Sequence, residues 1–216
     1  MLVSVHVPKC AGTSFRHAVD AIFGARAWYN YGSIFSREQA SRELVPPGTT
    51  FIHGHFLADA FDDIVPERRL VTWVRNPVER VASNYHHFLR SPDMRDDCCR
   101  ILHERNLTLR EFADLEWMQN MSTRYQANKS VDDFEFIGIA ERFQESMDLF
   151  CWMYGFRDPR PLPRANINPD RKADQYDLPP EVAAHIRDRN LSDLGWYQRA
   201  VERLDQGYSA RSSQVA

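Results

Sequence analysis

Residues 6–15 combine the features of an anion-binding loop. Lys9 brings a positive charge, Gly12 a backbone without a side chain, and Thr13 and Ser14 bring hydroxyl donors. The segment follows an apolar run and precedes apolar residues at helical spacing, which predicts a strand, a tight turn and a helix N-terminus. A helix N-terminus presents unpaired N–H groups and the positive end of a dipole. The segment therefore predicts a phosphate or sulfate site, the alternative being an ordinary turn with a surface lysine.

A second cluster of polar residues follows the apolar stretch Arg69–Val74, which predicts an internal strand. Arg75 stands at the end of this strand, and Asn76 and Pro77 suit the N-cap and the first position of a helix. Arginine binds phosphate bidentately, and Ser83 could donate a hydroxyl to the same group. These residues predict a second phosphate site at a strand-to-helix junction.

Two histidines flank a glycine where another short strand is expected to end. Residues 49–53 predict that strand, and Gly54 and His55 follow it. In an extended chain His53 and His55 share one face, and ligands of open α/β sheets bind beyond the carboxyl ends of strands. Both histidines are therefore candidates for proton transfer. The alternative is a structural histidine, and His6, in the first strand, is interpreted in that way.

These segments resemble motifs of the sulfotransferases that use 3′-phosphoadenosine-5′-phosphosulfate (PAPS). Pro-Lys-x-x-Gly-Thr-Ser, residues 8–14, is similar to their 5′-phosphosulfate loop. Arg75-x-Pro77-x-x-Arg80-x-x-Ser83-x-Tyr85 is similar to their 3′-phosphate motif. The spacing differs from Gly-x4-Gly-Lys-Ser/Thr of P-loop kinases, because the lysine precedes the glycine. The resemblance covers roughly residues 2–155.

The carbohydrate-type branch, which includes uronosyl 2-O-sulfotransferases, is the most similar. His-Gly-His at 53–55 and Asn120-x-x-Thr123-Arg124 resemble its segments. The resemblance implies His55 as the catalytic base, with Lys9 and His53 as further catalytic residues. The residues that it implies for PAPS binding are Lys9, Cys10, Ala11, Gly12, Thr13, Ser14, Arg75, Ser83 and Arg124.

The implied reaction moves the sulfuryl group of PAPS to an acceptor hydroxyl, on a saccharide or a small alcohol, by in-line displacement without a metal. Two alternatives remain. An ATP-dependent phosphotransferase of the P-loop type is disfavoured by the missing Gly-Lys-Thr and by the missing magnesium carboxylate. A nucleotide-binding module without catalysis is disfavoured by the paired histidines. Residues 28–32, rich in aromatic side chains, predict either a core-edge cluster or a stacking platform for the acceptor.

Composition limits the class of protein. The 216 residues are 43% hydrophobic and 26% charged, with a formal net charge of −3. This balance indicates a globular domain and gives no general attraction to nucleic acid or to anionic membranes. The four cysteines form no Cys-x-x-Cys pair, which is consistent with a reducing compartment. With no apolar run long enough for a membrane span, we expect no membrane insertion and a cytoplasmic location.

Alternating strand and helix signals predict an α/β fold, and the resemblance makes it a P-loop-like three-layer α/β/α sandwich around a central parallel sheet. Four strands are expected, together with a helix at 36–44. In the helix after Asn76, we expect Arg80 to lie off the buried stripe. We expect one sulfotransferase domain at residues 1–207 and a disordered tail at 208–216. Residues 91–106 predict a polar excursion with a short helix, which either lines an acceptor pocket or is a solvated loop. Residues 165–172 resemble the loop that closes over the adenosine in the family, the alternative being a plain polar loop.

Overall fold

The sheet has five strands, all parallel, in the order β2-β3-β1-β4-β5. The computed structural model describes residues 1–32, 35–157, 159 and 175–215. The strands are β1 Leu2–Val5, β2 Ala27–Asn30, β3 Phe51–Gly54, β4 Arg69–Val74 and β5 Phe134–Ile139. Helices flank the sheet, and β1 and β3 are buried along their whole length. The predicted α/β class with a central parallel sheet is confirmed.

Eight α-helices accompany the strands in the described ranges. They are α1 Gly12–Phe23, α2 Pro77–Arg90, α3 Asp97–Arg105, α4 Leu109–Ala113, α5 Met121–Tyr125, α6 Phe143–Tyr154, α7 Pro180–Asp188 and α8 Leu191–Val215. Helix α8 continues through most of the segment predicted to be a disordered tail. Its backbone stays helical there because no proline interrupts it, and the Ser209 hydroxyl donates to the carbonyl of Asp205 one turn earlier. The division into one domain and a tail stays a prediction.

Strand β2 is the element that the sequence did not predict. The aromatic segment after residue 27 pairs with β3, from Ala27 beside Phe51 to Asn30 beside Gly54. Gly54 has no room for a side chain, because a Cβ would lie 1.6 Å from the carbonyl oxygen of Asn30. The glycine between the two histidines therefore permits close strand pairing.

Residues 36–44 do not form the expected helix. They form two single 3₁₀ turns, Arg37–Gln39 and Arg42–Leu44. Ser36 and Ser41 precede these turns in extended conformation. A serine that bonds to nearby backbone favours caps and turns over a helix interior. Two such serines five residues apart leave no room for a continuous helix.

The strand order places the carboxyl ends of all five strands along one edge. Strand β1 lies between β3 and β4. The chain first forms β2 and β3 on one side of β1 and then crosses to form β4 and β5 on the other side. Such a switch in strand order opens a crevice beyond the strand ends. The residues that follow the strands are His6 after β1, Tyr31 after β2, His55 after β3, Arg75 after β4 and Ala140 after β5.

Helix α2 begins as predicted, and it buries polar residues in addition to the expected apolar stripe. Asn76 accepts a hydrogen bond from the Val78 N–H at 3.0 Å, and Pro77 is the first helical residue. The Arg80 side chain is fully buried, contrary to the expected pattern. It can be buried because its guanidinium donates to the Met118 carbonyl and lies 4.0 Å from Asp193. Arg80 thus pairs with a carboxylate in the interior instead of reaching solvent.

Candidate functional site

A cavity of about 680 Å³ lies at the carboxyl edge of the sheet. Its lining contains eight of the residues that the sequence pointed to: Lys9, Ala11, Gly12, Thr13, Ser14, His55, Arg75 and Ser83. These residues come from three strand-to-helix or strand-to-loop junctions far apart in the sequence. The parallel sheet brings them together because the ends of β1, β3 and β4 are adjacent.

The loop before α1 is held in a strained conformation. Val7 to Cys10 form a turn in which the Cys10 N–H donates to the Val7 carbonyl at 3.3 Å. Pro8 and a left-handed Lys9, with φ of 66°, correspond to a type II turn, which normally has glycine at the second central position. Ala11 is also left-handed, with φ of 59°. Left-handed residues without a glycine cost about 1–2 kcal/mol each, and turns of this kind form concave anion sites from backbone N–H groups.

The start of α1 supplies further donors. Ala11 is its N-cap, and the helix has neither a side-chain cap nor an acidic residue in its first turn. The first N–H groups of a helix without a cap attract an anion. Thr13 is exposed at this end, and Ser14 lies partly exposed beside it.

Gly12 has a packing role that the sequence did not suggest. A Cβ at this position would lie 1.7 Å from Nε2 of His6. The glycine is therefore required because the His6 ring occupies that space. This differs from the expected reason, a close approach of the backbone to an anion. His6 itself lines the cavity, although the sequence suggested only a structural role for it.

Lys9 is the cation of this loop. Burial, followed by the positive charges of Arg75 and Arg90, lowers its pKa to about 8. Burial first, and then Lys9 and Arg90, also lower the pKa of His87, which lines the cavity. An anion bound in the loop would relieve this repulsion.

Arg75 connects the loop to the start of α2. Its guanidinium lies 3.4 Å from the Lys9 carbonyl oxygen, 3.1 Å from a carboxylate oxygen of Glu79 and 3.8 Å from Glu141. Glu141, which follows β5, also accepts the Asn76 N–H at 2.9 Å. Burial raises the pKa of Glu141. The two carboxylates orient Arg75, which is a role that the sequence did not predict for Glu79 or Glu141.

The histidines occupy two different environments. His55 lines the cavity, and its Nε2 lies 3.1 Å from Nδ1 of His6. Burial lowers the pKa of His55 to about 4. His53 is 1% exposed and is not among the described residues of the lining. Its Nδ1 lies 2.9 Å from the Ser4 hydroxyl, and burial lowers its pKa to about 3, followed by the charges of His55 and Arg16.

Cys10 and Arg124 are two further predicted residues outside the described lining of the cavity. Cys10 is fully buried behind the loop, where burial raises the pKa of its thiol to about 12. Its side chain therefore faces the core, and only its backbone is near the loop. Arg124 lies 3.5 Å from Glu116 and 5.3 Å from the ring centre of Trp117, on the outer side of the cavity wall.

The Asn120-x-x-Thr123 segment joins two helix starts by reciprocal capping. Asp193, in the first turn of α8, accepts from the Ser122 N–H at 3.0 Å and the Thr123 N–H at 2.8 Å. Asn120, the N-cap of α5, accepts in return from the Ser192 and Asp193 N–H groups at 3.1 and 3.2 Å. Each helix is thus capped by a side chain of the other. The polar residues of the segment serve this junction.

The far wall of the cavity is apolar and aromatic. Phe35, Trp117, Met121 and Tyr125 line it. Tyr125 contacts both Phe35 and His55 edge to face, with ring centres 5.6 and 6.4 Å apart. Tyr31, from the aromatic segment of β2, lies 5.1 Å from His55. An aromatic surface thus flanks the imidazole opposite the loop.

The described ranges hold neither a metal-binding cluster nor a membrane-spanning helix. They contain no group of three or more His, Cys, Asp or Glu side chains that could hold a metal ion. None of their helices is both long enough and apolar enough to cross a membrane. The predicted loop at 165–172 lies outside the residues that the structure describes.

Comparisons with known proteins give a distant structural neighbour. No family model matches the chain, and no curated protein is significantly similar to it. Among solved structures, the chain is similar to the mouse sulfotransferase SULT7A1 complexed with PAP, with a TM-score of 0.47 and 14% sequence identity over 87% of this chain. The chain spans 61% of that protein. Function is therefore argued from the site alone.

Proposed function

We propose that this protein is a sulfotransferase that moves the sulfuryl group of PAPS to a hydroxyl group. The observation that carries the proposal is the meeting of three groups on one cavity: the strained loop of Lys9, Arg75 at the end of β4 with Ser83 in α2, and His55. The loop is suited to one phosphate-like group and the pair to another. The His55 imidazole, which contacts the aromatic wall, is suited to remove a proton from an acceptor hydroxyl.

The proposed donor site has two ends. Lys9, the N–H groups of residues 11–14 and the hydroxyls of Thr13 and Ser14 would hold the 5′-phosphosulfate. Arg75 and Ser83 would hold the 3′-phosphate, since both line the same cavity. Both ends present donors and positive charge, and the guanidinium is positioned by the buried Glu79 and by Glu141, which is more exposed. Cys10 and Ala11 contribute backbone only, and a contact from Arg124 remains a prediction.

The proposed reaction is a single in-line displacement. PAPS supplies a sulfuryl group attached to a phosphate oxygen. His55, neutral at physiological pH, accepts the proton of the acceptor hydroxyl while the new oxygen–sulfur bond forms and the sulfur–oxygen bond to the 5′-phosphate breaks. Lys9 offsets the charge that develops on the departing phosphate oxygen. Positioning and charge stabilisation then provide most of the rate enhancement.

The aromatic wall is the proposed acceptor surface. A saccharide ring or a small alcohol would lie against Tyr125 and Phe35 with its hydroxyl directed at His55. Aromatic faces pack well against the apolar face of a ring. A screen of saccharides, alcohols and phenols with radiolabelled PAPS would identify the acceptor and the products.

A ligand-melting panel tests the donor assignment. We expect PAPS and adenosine 3′,5′-bisphosphate to raise Tm, and AMP to have a much smaller effect. A ligand at 100 times its Kd stabilises the folded state by about 2.7 kcal/mol. Stabilisation by ATP with magnesium, and none by the bisphosphate, would favour a phosphotransferase instead.

Removal of the Arg75 guanidinium should change nucleotide choice. In Arg75→Ala we expect the affinity for adenosine 3′,5′-bisphosphate to fall by about 1.5–3 kcal/mol, because charge-assisted hydrogen bonds to the 3′-phosphate are lost. AMP, which lacks that phosphate, should lose much less. Calorimetry with both nucleotides measures the difference, and Arg187→Ala, at an exposed arginine of α7 outside the described lining of the cavity, is the control. An equal loss for both nucleotides would refute the assignment.

Bisphosphate affinity should also fall at alkaline pH. The pKa of Lys9 is lowered to about 8, mainly by burial, so its charge is present below that pH and is lost as pH rises through it. Binding of an anion raises this pKa, and affinity must therefore decline between about pH 8 and 10. Calorimetry across this range measures the decline. Lys9→Arg keeps its charge throughout this range and should remove the decline in affinity. If the decline is unchanged in that variant, Lys9 is not the group that titrates.

A further inference from the structure

His6 connects the loop of Lys9 to His55. Its Nδ1 lies 3.1 Å from Nε2 of His55, and the two ring centres are 4.6 Å apart. We propose that His6 is a positioning residue for His55: it accepts the Nε2–H of His55 and so leaves Nδ1 of His55 as the nitrogen that receives the acceptor proton. This inference rests on the proposed function only in naming the proton that His55 takes.

The direction of the hydrogen bond decides which nitrogen of His55 is basic. A neutral imidazole has one N–H donor and one acceptor nitrogen. If His55 donates from Nε2, its Nδ1 is unprotonated and can act as a base. If His6 donates instead, Nδ1 of His55 carries the proton and that nitrogen cannot accept another. With the two rings in the same positions, His55 can therefore act as a base when it donates to His6 and cannot do so through Nδ1 when it accepts from His6.

A bound anion favours the productive pair of tautomers, in which His55 donates from Nε2 to Nδ1 of His6. Nε2 of His6 lies where a Cβ of Gly12 would be, 1.7 Å from that ideal position, so it faces the start of α1. In the productive pair this nitrogen carries a hydrogen, whereas in the other pair it presents a lone pair. An anion bound between Lys9 and α1 attracts the N–H and repels the lone pair. Occupancy of the loop therefore stabilises the tautomer in which His55 is a base.

The His6 ring is held in place on its other sides as well. It stacks on His53, with ring centres 5.0 Å apart and planes inclined by 14°. His53 is fixed in turn by its contact with the Ser4 hydroxyl. A chain of contacts thus runs from Ser4 through His53 and His6 to His55. It gives the buried His53 an indirect part in orienting its neighbour, without a contact to substrate.

The charges around the pair are consistent with this role. Burial lowers the pKa of His6 well below 6.5, and His53, His55 and Lys9 lower it further. Both imidazoles are therefore neutral near pH 7 in the free protein, as a donor–acceptor pair of neutral rings requires. A bound anion acts in the opposite direction and makes both rings more basic.

Two substitutions at position 6 separate the hydrogen bond from packing. Asparagine places an oxygen near the position of Nδ1, and leucine fills space without an acceptor. The readout is the tautomer of His55, from long-range proton–nitrogen NMR of histidine-labelled protein with and without adenosine 3′,5′-bisphosphate. We expect Nε2 of His55 to be protonated in the wild type and in His6→Asn, and a mixture of tautomers in His6→Leu.

The same variants are tested for turnover. We expect His6→Leu to lose about 10- to 100-fold in kcat, less than a full loss of general base catalysis. His6→Asn should stay within about threefold of the wild type, because the hydrogen bond positions the base. His185 lies on α7 and is paired with Asp114, and His185→Asn controls for the labelling and the fold. Urea unfolding of each variant separates a loss of fold from a loss of position.

Three results would overturn the inference: a wild-type His55 protonated on Nδ1, a tautomer that is unchanged in His6→Leu, or an equal loss of kcat in both variants. Failure of the proposed function has a different signature. In that case no variant binds the bisphosphate or turns over PAPS, and the tautomer measurement without ligand still decides the role of His6.

Discussion

His55→Ala is expected to abolish most turnover while leaving nucleotide binding intact. General base catalysis typically contributes about 10²–10⁴ in rate. Among the described lining residues, His55 is the imidazole that contacts Tyr125 of the aromatic wall. The reaction is measured with an acceptor from the screen, or otherwise as slow hydrolysis of PAPS by water. Affinity for adenosine 3′,5′-bisphosphate should stay within about twofold of the wild type, since the donor contacts are made elsewhere.

Two neighbouring variants sharpen this result. His53→Ala should lose less activity than His55→Ala, because its ring lies outside the described lining and acts through His6. His185→Ala, remote from the cavity, should match the wild type. If His55→Ala turns over normally, the base is another group, and Glu141 is the next candidate because burial raises its pKa. If only His53→Ala is inactive, the roles of the two histidines are reversed.

Asp193→Ala should destabilise the protein strongly. The carboxylate caps α5 through two N–H groups and a hydroxyl of Thr123, and it lies 4.0 Å from the buried Arg80. Its removal leaves an uncompensated buried charge, which costs about 3–5 kcal/mol. Urea denaturation should therefore show a lower midpoint and a loss of that size in the free energy of unfolding.

Three comparisons test the mechanism of this loss. Asp188→Ala removes an exposed carboxylate from the end of α7 and should change stability by less than about 0.5 kcal/mol. Asp193→Asn keeps one acceptor oxygen, and its loss in the free energy of unfolding should lie between those of Asp193→Ala and Asp188→Ala. The double variant with Arg80→Met removes both charges and should recover part of the loss. Additive losses in the double variant would contradict a coupling between Arg80 and Asp193.

The sequence predicted the junctions of this fold better than their surroundings. Apolar runs followed by Lys9 or Arg75 identified β1 and β4 with the helices after them, because a parallel strand and a capped helix each have a local signature. The end of β3 was found in the same way from His53 and His55. Strand β2 was missed because four residues with three aromatic or amide side chains, at the edge of a sheet, have no distinct pattern.

The roles of individual side chains depended on contacts that no local pattern contains. His6 was assigned a structural role because its partners, Gly12 and His55, are brought to it by the loop and by the neighbouring strand. Arg80 was placed off the buried stripe because a lone arginine in a helix usually reaches solvent. Its burial depends on Asp193, more than a hundred residues later. Such pairs become visible only after the sheet and the last helices are assembled.

The junction of α5 and α8 has a consequence for engineering. Within residues 117–125, Trp117, Met121 and Tyr125 face the cavity, while the polar residues between them are bonded to the start of α8. Contacts that shape the pocket and contacts that hold the backbone thus belong to different side chains of one short segment. Met121 also accepts from the buried Arg80, so libraries restricted to Trp117 and Tyr125 would change the acceptor surface while the contacts that cap both helices stay in place.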